Sequence, residues 1–334
     1  MQISGFGEFD IIEKIFKPGF DHLIPEDVTG IGDDCAIIPI DDKQSNLYTT
    51  DLLIEDIHFL RNSITAFELG FKSLAVNLSD IAAMGGKPEG SFLSVGLPPD
   101  LEISWIEAFM QGFRKLSEKE HVPLLGGDTT KSSCGIVINV GVRGTILHQQ
   151  IKRRSAALPG DIIAVLDPLG NSAGGLQIIL NHYPDHDCHA NLLKQHLTPY
   201  PKIAEGRFLA GINKVHAMID VSDGIGSDLK HIANASDAAA EVYLENIPLS
   251  TDLKELCRLH KFDPLKLAVS GGEDYTLLVT IDGLAFDEIA MHYQKQFKSY
   301  LYPIGRILEG EPSVVYKKNG EIVELDADGF DHFA

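Results

Sequence analysis

Positive charge is what this sequence most lacks: 28 Lys and Arg residues stand against 48 Asp and Glu, a formal net charge of −20. A nucleic-acid backbone is held by a basic stripe, so this balance argues against nucleic acid as a partner and disfavours an anionic membrane surface. A polyanionic ligand would need divalent cations to bridge it to so acidic a chain. Cysteine is scarce too. Cys35, Cys134, Cys188 and Cys257 lie far apart and form no C-x-x-C pair, which fits free thiols in a reducing compartment rather than a disulfide framework. No apolar run approaches the roughly 18 residues of a membrane span. Residues 1–10 have neither a basic region nor an apolar core, so no signal peptide is expected there, and the expected location is the cytoplasm.

Several phosphate-binding motifs are also missing. Gly127-Asp128-Thr129-Thr130-Lys131-Ser132 lacks the G-x-x-x-x-G-K-[ST] spacing of a P-loop. Gly5-x-Gly7, Gly30-x-Gly32 and Gly224-x-Gly226 lack the third glycine and the strand–helix setting of a dinucleotide fingerprint. The H-R-D and D-F-G pair of protein kinases is absent.

What is present is an ordinary globular composition, 44% hydrophobic and 23% charged over 334 residues, enough for two domains with a sizeable core. Apolar patterning predicts a hairpin of strands over 35–40 and 47–53, the second ending in Thr49-Thr50-Asp51. A helix over 8–16 precedes it, followed by a loop over 21–30. Thr65 is placed to cap a helix over 66–84, stopped by Gly85-Gly86 and Pro88. Asp80 falls near the C-terminus of that helix, where the dipole disfavours a carboxylate, and so hints at function; a solvated Asp explains it equally well. Strands over 91–97, 122–125 and 136–145 and a helix over 103–121 complete the first half. A basic, Pro- and Gly-bearing segment at 150–160 marks a boundary between domains 1–148 and 149–334. The second half alternates strands (161–166, 217–221, 239–244, 275–281, 302–307) with helices (170–182, 188–197, 202–210, 226–235, 284–297), an α/β or α+β pattern.

The candidate chemistry lies in acidic turns. Gly30-Ile31-Gly32-Asp33-Asp34 sets two like charges side by side, with no Lys or Arg between Lys17 and Lys43 to neutralise them. Thr49-Thr50-Asp51, Gly126-Gly127-Asp128-Thr129-Thr130, Asp220-Val221-Ser222-Asp223-Gly224 and Gly271-Gly272-Glu273-Asp274 repeat one plan, an apolar strand followed by a turn of Gly, Ser or Thr with an acid. Carboxylates and hydroxyls suit Mg²⁺, and glycine N–H groups suit phosphate oxygens. The competing reading is that acidic turns are common in any acidic protein. The stretch His182-Tyr183-Pro184-Asp185-His186-Asp187-Cys188-His189 matches no standard zinc spacing and reads as a solvated interhelical loop. On spacing alone, His58 reads as structural.

The motifs GIGDDCA (from Gly30), TTD (from Thr49), AVNLSDIAAMGG (from Ala75), GGDTT (from Gly126), DVSDG (from Asp220) and SGGEDY (from Ser270), in this order, closely resemble those of the thiamine-monophosphate kinases, a branch of the aminoimidazole ribonucleotide synthetase superfamily. The resemblance runs from Gly5 to Phe333. It implies a two-domain α/β (α+β) aminoimidazole ribonucleotide synthetase-like fold, whose N-terminal domain forms a dimer-spanning β-barrel in a homodimer. It also implies ATP as co-substrate, several Mg²⁺ ions, and thiamine monophosphate converted to thiamine diphosphate by direct in-line transfer. Carried over by motif, Asp34, Thr49, Thr50, Asp51, Asp80, Asp128, Asp220 and Asp223 would bind Mg²⁺, with Asp33 a further candidate. Asp128, Asp223 and Asp34 would be catalytic. Gly127, Asp128, Arg154 and Ser222 would contact ATP, and His58 and Glu273 the thiamine substrate. The family's C-terminal aromatic contact falls on Ala327, a departure, with Phe330 three residues on. Sister enzymes with a reactive cysteine near either terminus fit less well, since no Cys precedes Cys35 and the chain ends Gly-Phe-Asp-His-Phe-Ala. A non-catalytic nucleotide or metal sensor using the same acids is the alternative from another class.

Overall fold

The computed structural model describes residues 7–325 and Gly329. Two sheets organise the chain. The first has five strands in the order β1-β2-β5-β3-β4: β1 (Ala36–Pro39), β2 (Gln44–Ile54), β3 (Lys87–Leu97), β4 (Leu124–Lys131) and β5 (Val137–Leu147). The hairpin β1–β2 is present, and all pairings are antiparallel except β3–β4. The second sheet has seven strands in the order β12-β11-β8-β10-β6-β9-β7. Its strands are β6 (Ile162–Val165), β7 (Val215–Asp220), β8 (Ala239–Tyr243), β9 (Leu277–Ile281), β10 (Tyr302–Leu308), β11 (Ser313–Lys318) and β12 (Glu321–Ile322). The mixed α/β architecture expected from the sequence is therefore present. The five-stranded sheet is open, with β1 and β4 as its edges, and no closed barrel occurs among the described residues.

Helix α1 (Ala66–Ala83) joins the halves. Thr65 caps it in a full capping box: its hydroxyl accepts the Glu68 N–H at 3.2 Å, and the Glu68 carboxylate accepts the Thr65 N–H at 2.9 Å. Gly85, at φ +78°, ends it as the paired glycines predict. Fourteen of its 18 residues are buried, because it packs on β2 and β5 on one side and on α2 (Ile103–Glu120) and β7 on others. Leu47, Leu78, Ile138 and Val140 from the first half share one core cluster with Met218, Leu277 and Phe286 from the second. The α1–α2 crossing is close: a Cβ on Gly70 would lie 1.9 Å from the Phe109 carbonyl oxygen, so only glycine fits there.

The remaining helices are α3 (Asn171–Asn181), α4 (His189–Leu197), α5 (Ile203–Ala210), α6 (Ile225–Ala235), α7 (Thr251–His260), α8 (Pro264–Ser270) and α9 (Phe286–Phe297). Four expectations change. Thr49-Thr50-Asp51 lies in mid-strand, because β2 pairs with β5 from Gln44 to Ile54. Gly126–Thr130 is part of β4 rather than a turn after it, since it continues the parallel ladder with β3. Gly271–Asp274 follows α8 and precedes β9; positive φ at Glu273 (64°) and Tyr275 (44°) delays the strand to Leu277. At the N-terminus, helical turns continue past residue 16 to residue 23.

Candidate functional site

Four separate segments deliver carboxylates to one place. Asp34 lies in the loop entering β1, Asp51 in β2, Asp80 in the last turn of α1 and Asp220 at the end of β7. Oxygens of Asp34, Asp80 and Asp220 lie within 4.8 Å of one another. The Thr49 hydroxyl donates to Asp80, the Asp51 N–H donates to Asn77 Oδ1 at 3.1 Å, and the Ser79 hydroxyl donates to Asp220 at 2.6 Å. Strand alternation sends Thr50 to the other face. There it donates to the Val140 carbonyl at 3.1 Å and accepts from Asn139 at 2.8 Å, so its side chain is not brought to the cluster.

The neighbouring Asp33–Asp34 pair is partly neutralised after all. The Arg154 guanidinium donates to Asp34 Oδ1 at 2.7 Å, and the Arg154 N–H donates to Asp33 Oδ1 at 2.9 Å. The expected absence of a cation held only locally; the partner arrives from about 120 residues downstream.

One guanidinium does not balance this much charge. Burial, then repulsion from Asp34, pushes the Asp220 carboxyl up to about 8. Burial and Asp223 push Asp51 up to about 6. Burial, followed by Asp51, Asp220 and Asp34, holds Asp80 well above the usual range. Asp33 is raised to about 6, chiefly by burial. Asp34 Oδ2 and Asp51 Oδ2 are buried without a hydrogen-bond partner among the described residues. Crowded carboxylates with unsatisfied oxygens are the donor set that a hard divalent cation relieves, and an oxygen-only set matches Mg²⁺. The adjacent Cys35 thiol is kept protonated by burial and by Asp80, so it adds no soft thiolate. Asp223 stands close enough to Asp51 and Asp228 to raise both.

Asp128 is not brought into this group. It is exposed on edge strand β4, where its Oδ1 accepts the Thr129 N–H at 2.9 Å. Gly127 beside it has φ +153°, and a Cβ there would lie 1.7 Å from the Leu93 carbonyl oxygen.

A second group surrounds Glu273. Its N–H donates to the Ser222 carbonyl at 2.6 Å, so two sequence-predicted contacts, Ser222 and Glu273, are tied together. Lys72 reaches Oε1 at 2.9 Å and Oε2 at 3.0 Å, and His196 Nδ1 lies 3.2 Å from Oε2. Burial raises the Glu273 carboxyl, but Lys72, His196 and His58 outweigh it and hold it below its ordinary value. His58 accepts the Ile54 N–H at 3.0 Å and so sits just past the end of β2. Ala327 and Phe330 lie outside the described residues.

Sequence reasoning passed over Lys72, Asn77, Ser79, His196 and Asp228. A signal was available for three of these, as polar residues inside the otherwise apolar α1. In the His-rich stretch, His186 Nδ1 lies 3.2 Å from Cys188 Sγ. His189 is buried, so the stretch is less solvated than expected. Its side chains form no metal-ligating trio among the described residues.

Models of the AIR synthase related protein family match both halves, the N-terminal domain over residues 32–146 and the C-terminal domain over residues 159–317. The thiamine-monophosphate kinase of Escherichia coli (strain K12) is 37% identical over 333 residues, covering 98% of each chain. The chain belongs to the thiamine-monophosphate kinase family. The Bacillus subtilis (strain 168) member is 33% identical over 335 residues, covering 98% of this chain and 99% of its own. Among solved structures, AaThiL complexed with AMPPCP and TMP superposes with a TM-score of 0.85 at 31% identity, covering 99% of both chains. No described helix is long and apolar enough to cross a membrane.

Proposed function

We propose that this chain transfers the γ-phosphoryl group of ATP to thiamine monophosphate, giving thiamine diphosphate, in the cytoplasm and with several Mg²⁺ ions. The observation that carries the reading is the convergence of Asp34, Asp80 and Asp220 within 4.8 Å in a member of this family. Asp34, Thr49, Asp51, Asp80, Asp220 and Asp223 would hold Mg²⁺, which when bound neutralises the phosphate oxygens. Asp128, Gly127, Arg154 and Ser222 would meet ATP, and His58 and Glu273 the thiamine substrate.

The acceptor is a phosphate monoester whose second pKa is near 6, so it is largely ionised at neutral pH and needs little help from a base. The chain's task is to align two polyanions and spread their charge. Carboxylates dominate the site for that reason, and no covalent phosphoenzyme is required. Arg154, already held by Asp34, links the metal-binding acids to the nucleotide side.

The dimer-spanning barrel and the boundary at 148/149 belong to the same proposal. The open sheet presents Ile38, Tyr48, Leu52, Phe92 and Leu125 at 39%, 40%, 47%, 47% and 57% exposure, an apolar set suited to a second copy.

A coupled ADP-release assay, with and without thiamine monophosphate, tests the activity. ADP release that requires thiamine monophosphate, with thiamine diphosphate as product, is expected. ATP binding with no turnover would defeat the reading in favour of a sensor.

A further inference from the structure

Lys72 is the one cation of α1, and its side chain is only 1% exposed. A buried ammonium persists only where it is paired, and this one spans both oxygens of Glu273, at 2.9 and 3.0 Å. The second oxygen also faces His196 Nδ1 at 3.2 Å. An ionised carboxylate can only accept, so the imidazole engages it when the ring's proton sits on Nδ1. The Ser172 hydroxyl, 3.0 Å from the same nitrogen, fixes the ring. Burial and Lys72 lower the His196 pKa to about 4, so the ring is neutral near pH 7.

The backbone around Glu273 would not hold this direction unaided. Glu273 and Tyr275 both have positive φ, 64° and 44°, a region that side chains disfavour. The intervening Asp274 accepts the Gly170 N–H at 2.5 Å and the Ser172 N–H at 3.0 Å, clamping the loop to the start of α3. Glu273 is thus aimed by α1 through Lys72 and by α4 through His196. Neither helix carries Glu273, and Lys72 is 201 residues away in sequence.

We infer that Lys72 and His196 are positioning residues that fix the Glu273 carboxylate against the thiamine substrate, and that Ser172 sets the His196 ring for this task. The inference rests on the reading of Glu273 as the thiamine contact. Lys72 compensates the charge of Glu273, so what the carboxylate offers a ring is direction more than net attraction. Loosening it should therefore be felt in binding of the thiamine substrate and hardly at all by ATP.

The experiment is steady-state kinetics on Lys72→Met, His196→Leu, His196→Asn, Glu273→Gln and the double variant Lys72→Met/Glu273→Gln. Lys72→Met and His196→Leu are expected to raise KM for thiamine monophosphate about tenfold, with KM for ATP within about twofold of wild type. His196→Asn, whose amide can donate from near the Nδ1 position, should recover most of the loss. The double variant should be no worse than Glu273→Gln alone, because Lys72 acts through Glu273. Losses that multiply in the double variant, or a Lys72→Met defect equal for both substrates, would overturn the assignment. If Lys72→Met does not fold, the double variant and the His196 pair still decide the matter. If the wild-type protein does not turn over thiamine monophosphate, the functional reading fails by itself. The positioning claim is then judged from a crystal structure of Lys72→Met, or of His196→Leu if Lys72→Met does not fold. A Glu273 carboxylate turned away from its present place is expected, and one that keeps that place refutes it.

Discussion

Asp220→Asn should make the metal-free protein more stable while removing most of its response to Mg²⁺. Asp220 is 3% exposed, and its carboxyl is raised from 3.8 to about 8 by burial and then by Asp34. At about 1.4 kcal/mol per pKa unit, a shift of roughly four units is about 5 kcal/mol against the ionised form. Asp34, Asp51 and Asp80 share that repulsion, so about 2 kcal/mol is a fair expectation for relieving one member. The sign follows from the direction of the shift. A raised carboxyl contributes stability that is fully present below its unfolded pKa, near 3.8, and lost as pH climbs toward 8. The gain from Asn should therefore be largest near pH 8 and vanish near pH 4. Asn retains an oxygen to accept the Ser79 hydroxyl, so the 2.6 Å contact need not be lost. In a chain of this length, 2 kcal/mol corresponds to a Tm rise of roughly 3 °C. Saturating Mg²⁺, at about a hundred times its Kd, should add about 2.7 kcal/mol to wild type and much less to the variant. Calorimetry at pH 5 and pH 8, in EDTA and in Mg²⁺, reads both effects. A variant less stable than wild type at pH 8 in EDTA, or one with an undiminished Mg²⁺ shift, would refute the reasoning.

Gly127→Ala should cost at least about 1–3 kcal/mol and most of the turnover, because φ +153° and the Leu93 carbonyl leave no room for a Cβ and β4 must part from β3. Chemical denaturation and the ADP-release assay check it, and wild-type activity would show that β4 tolerates the shift. Acid should destabilise the protein through His196 and His231, both held near 4 by burial. A lowered histidine gives stability that is fully present above about pH 6.5 and lost as pH falls to 4, up to roughly 3 kcal/mol for each residue. This trend opposes that of the carboxylates, so metal-free stability should peak between the two, and Mg²⁺ should move the peak to higher pH. Urea titrations across pH 4–8 measure it, and a stability that rises without a maximum in EDTA would contradict the balance.

The parts of this fold that could be read in the sequence are those with local causes. Thr65 and Glu68 announce the start of α1, Gly85 its end, and the polar turn between Pro39 and Gln44 joins a hairpin. Two helices were missed although their caps were present: Ser250 accepts the Leu253 N–H ahead of α7, and Asp263-Pro264 opens α8. At ten and seven residues, these helices are too short for periodicity to stand out. Gly126–Thr130 looked like a turn because glycine marks turns. Here glycine is needed where one strand lies close against the next carbonyl.

The site divides along the same line. Asp34, Asp51, Asp80 and Asp220 could be singled out because their neighbours are glycines, hydroxyls or a helix end, all within a few residues. Their counterweights could not. Arg154 meets Asp34 across 120 residues and Lys72 meets Glu273 across 201, and a sequence window that sees no cation near Asp33-Asp34 is right about the window and wrong about the molecule. A buried charge must be compensated, but nothing requires that its partner be near in sequence. Lys72 does leave a trace, since a lysine inside a helix as apolar as α1 has no cheap solvated explanation. It calls for an acid elsewhere, and Glu273 on its left-handed turn is the acid that answers.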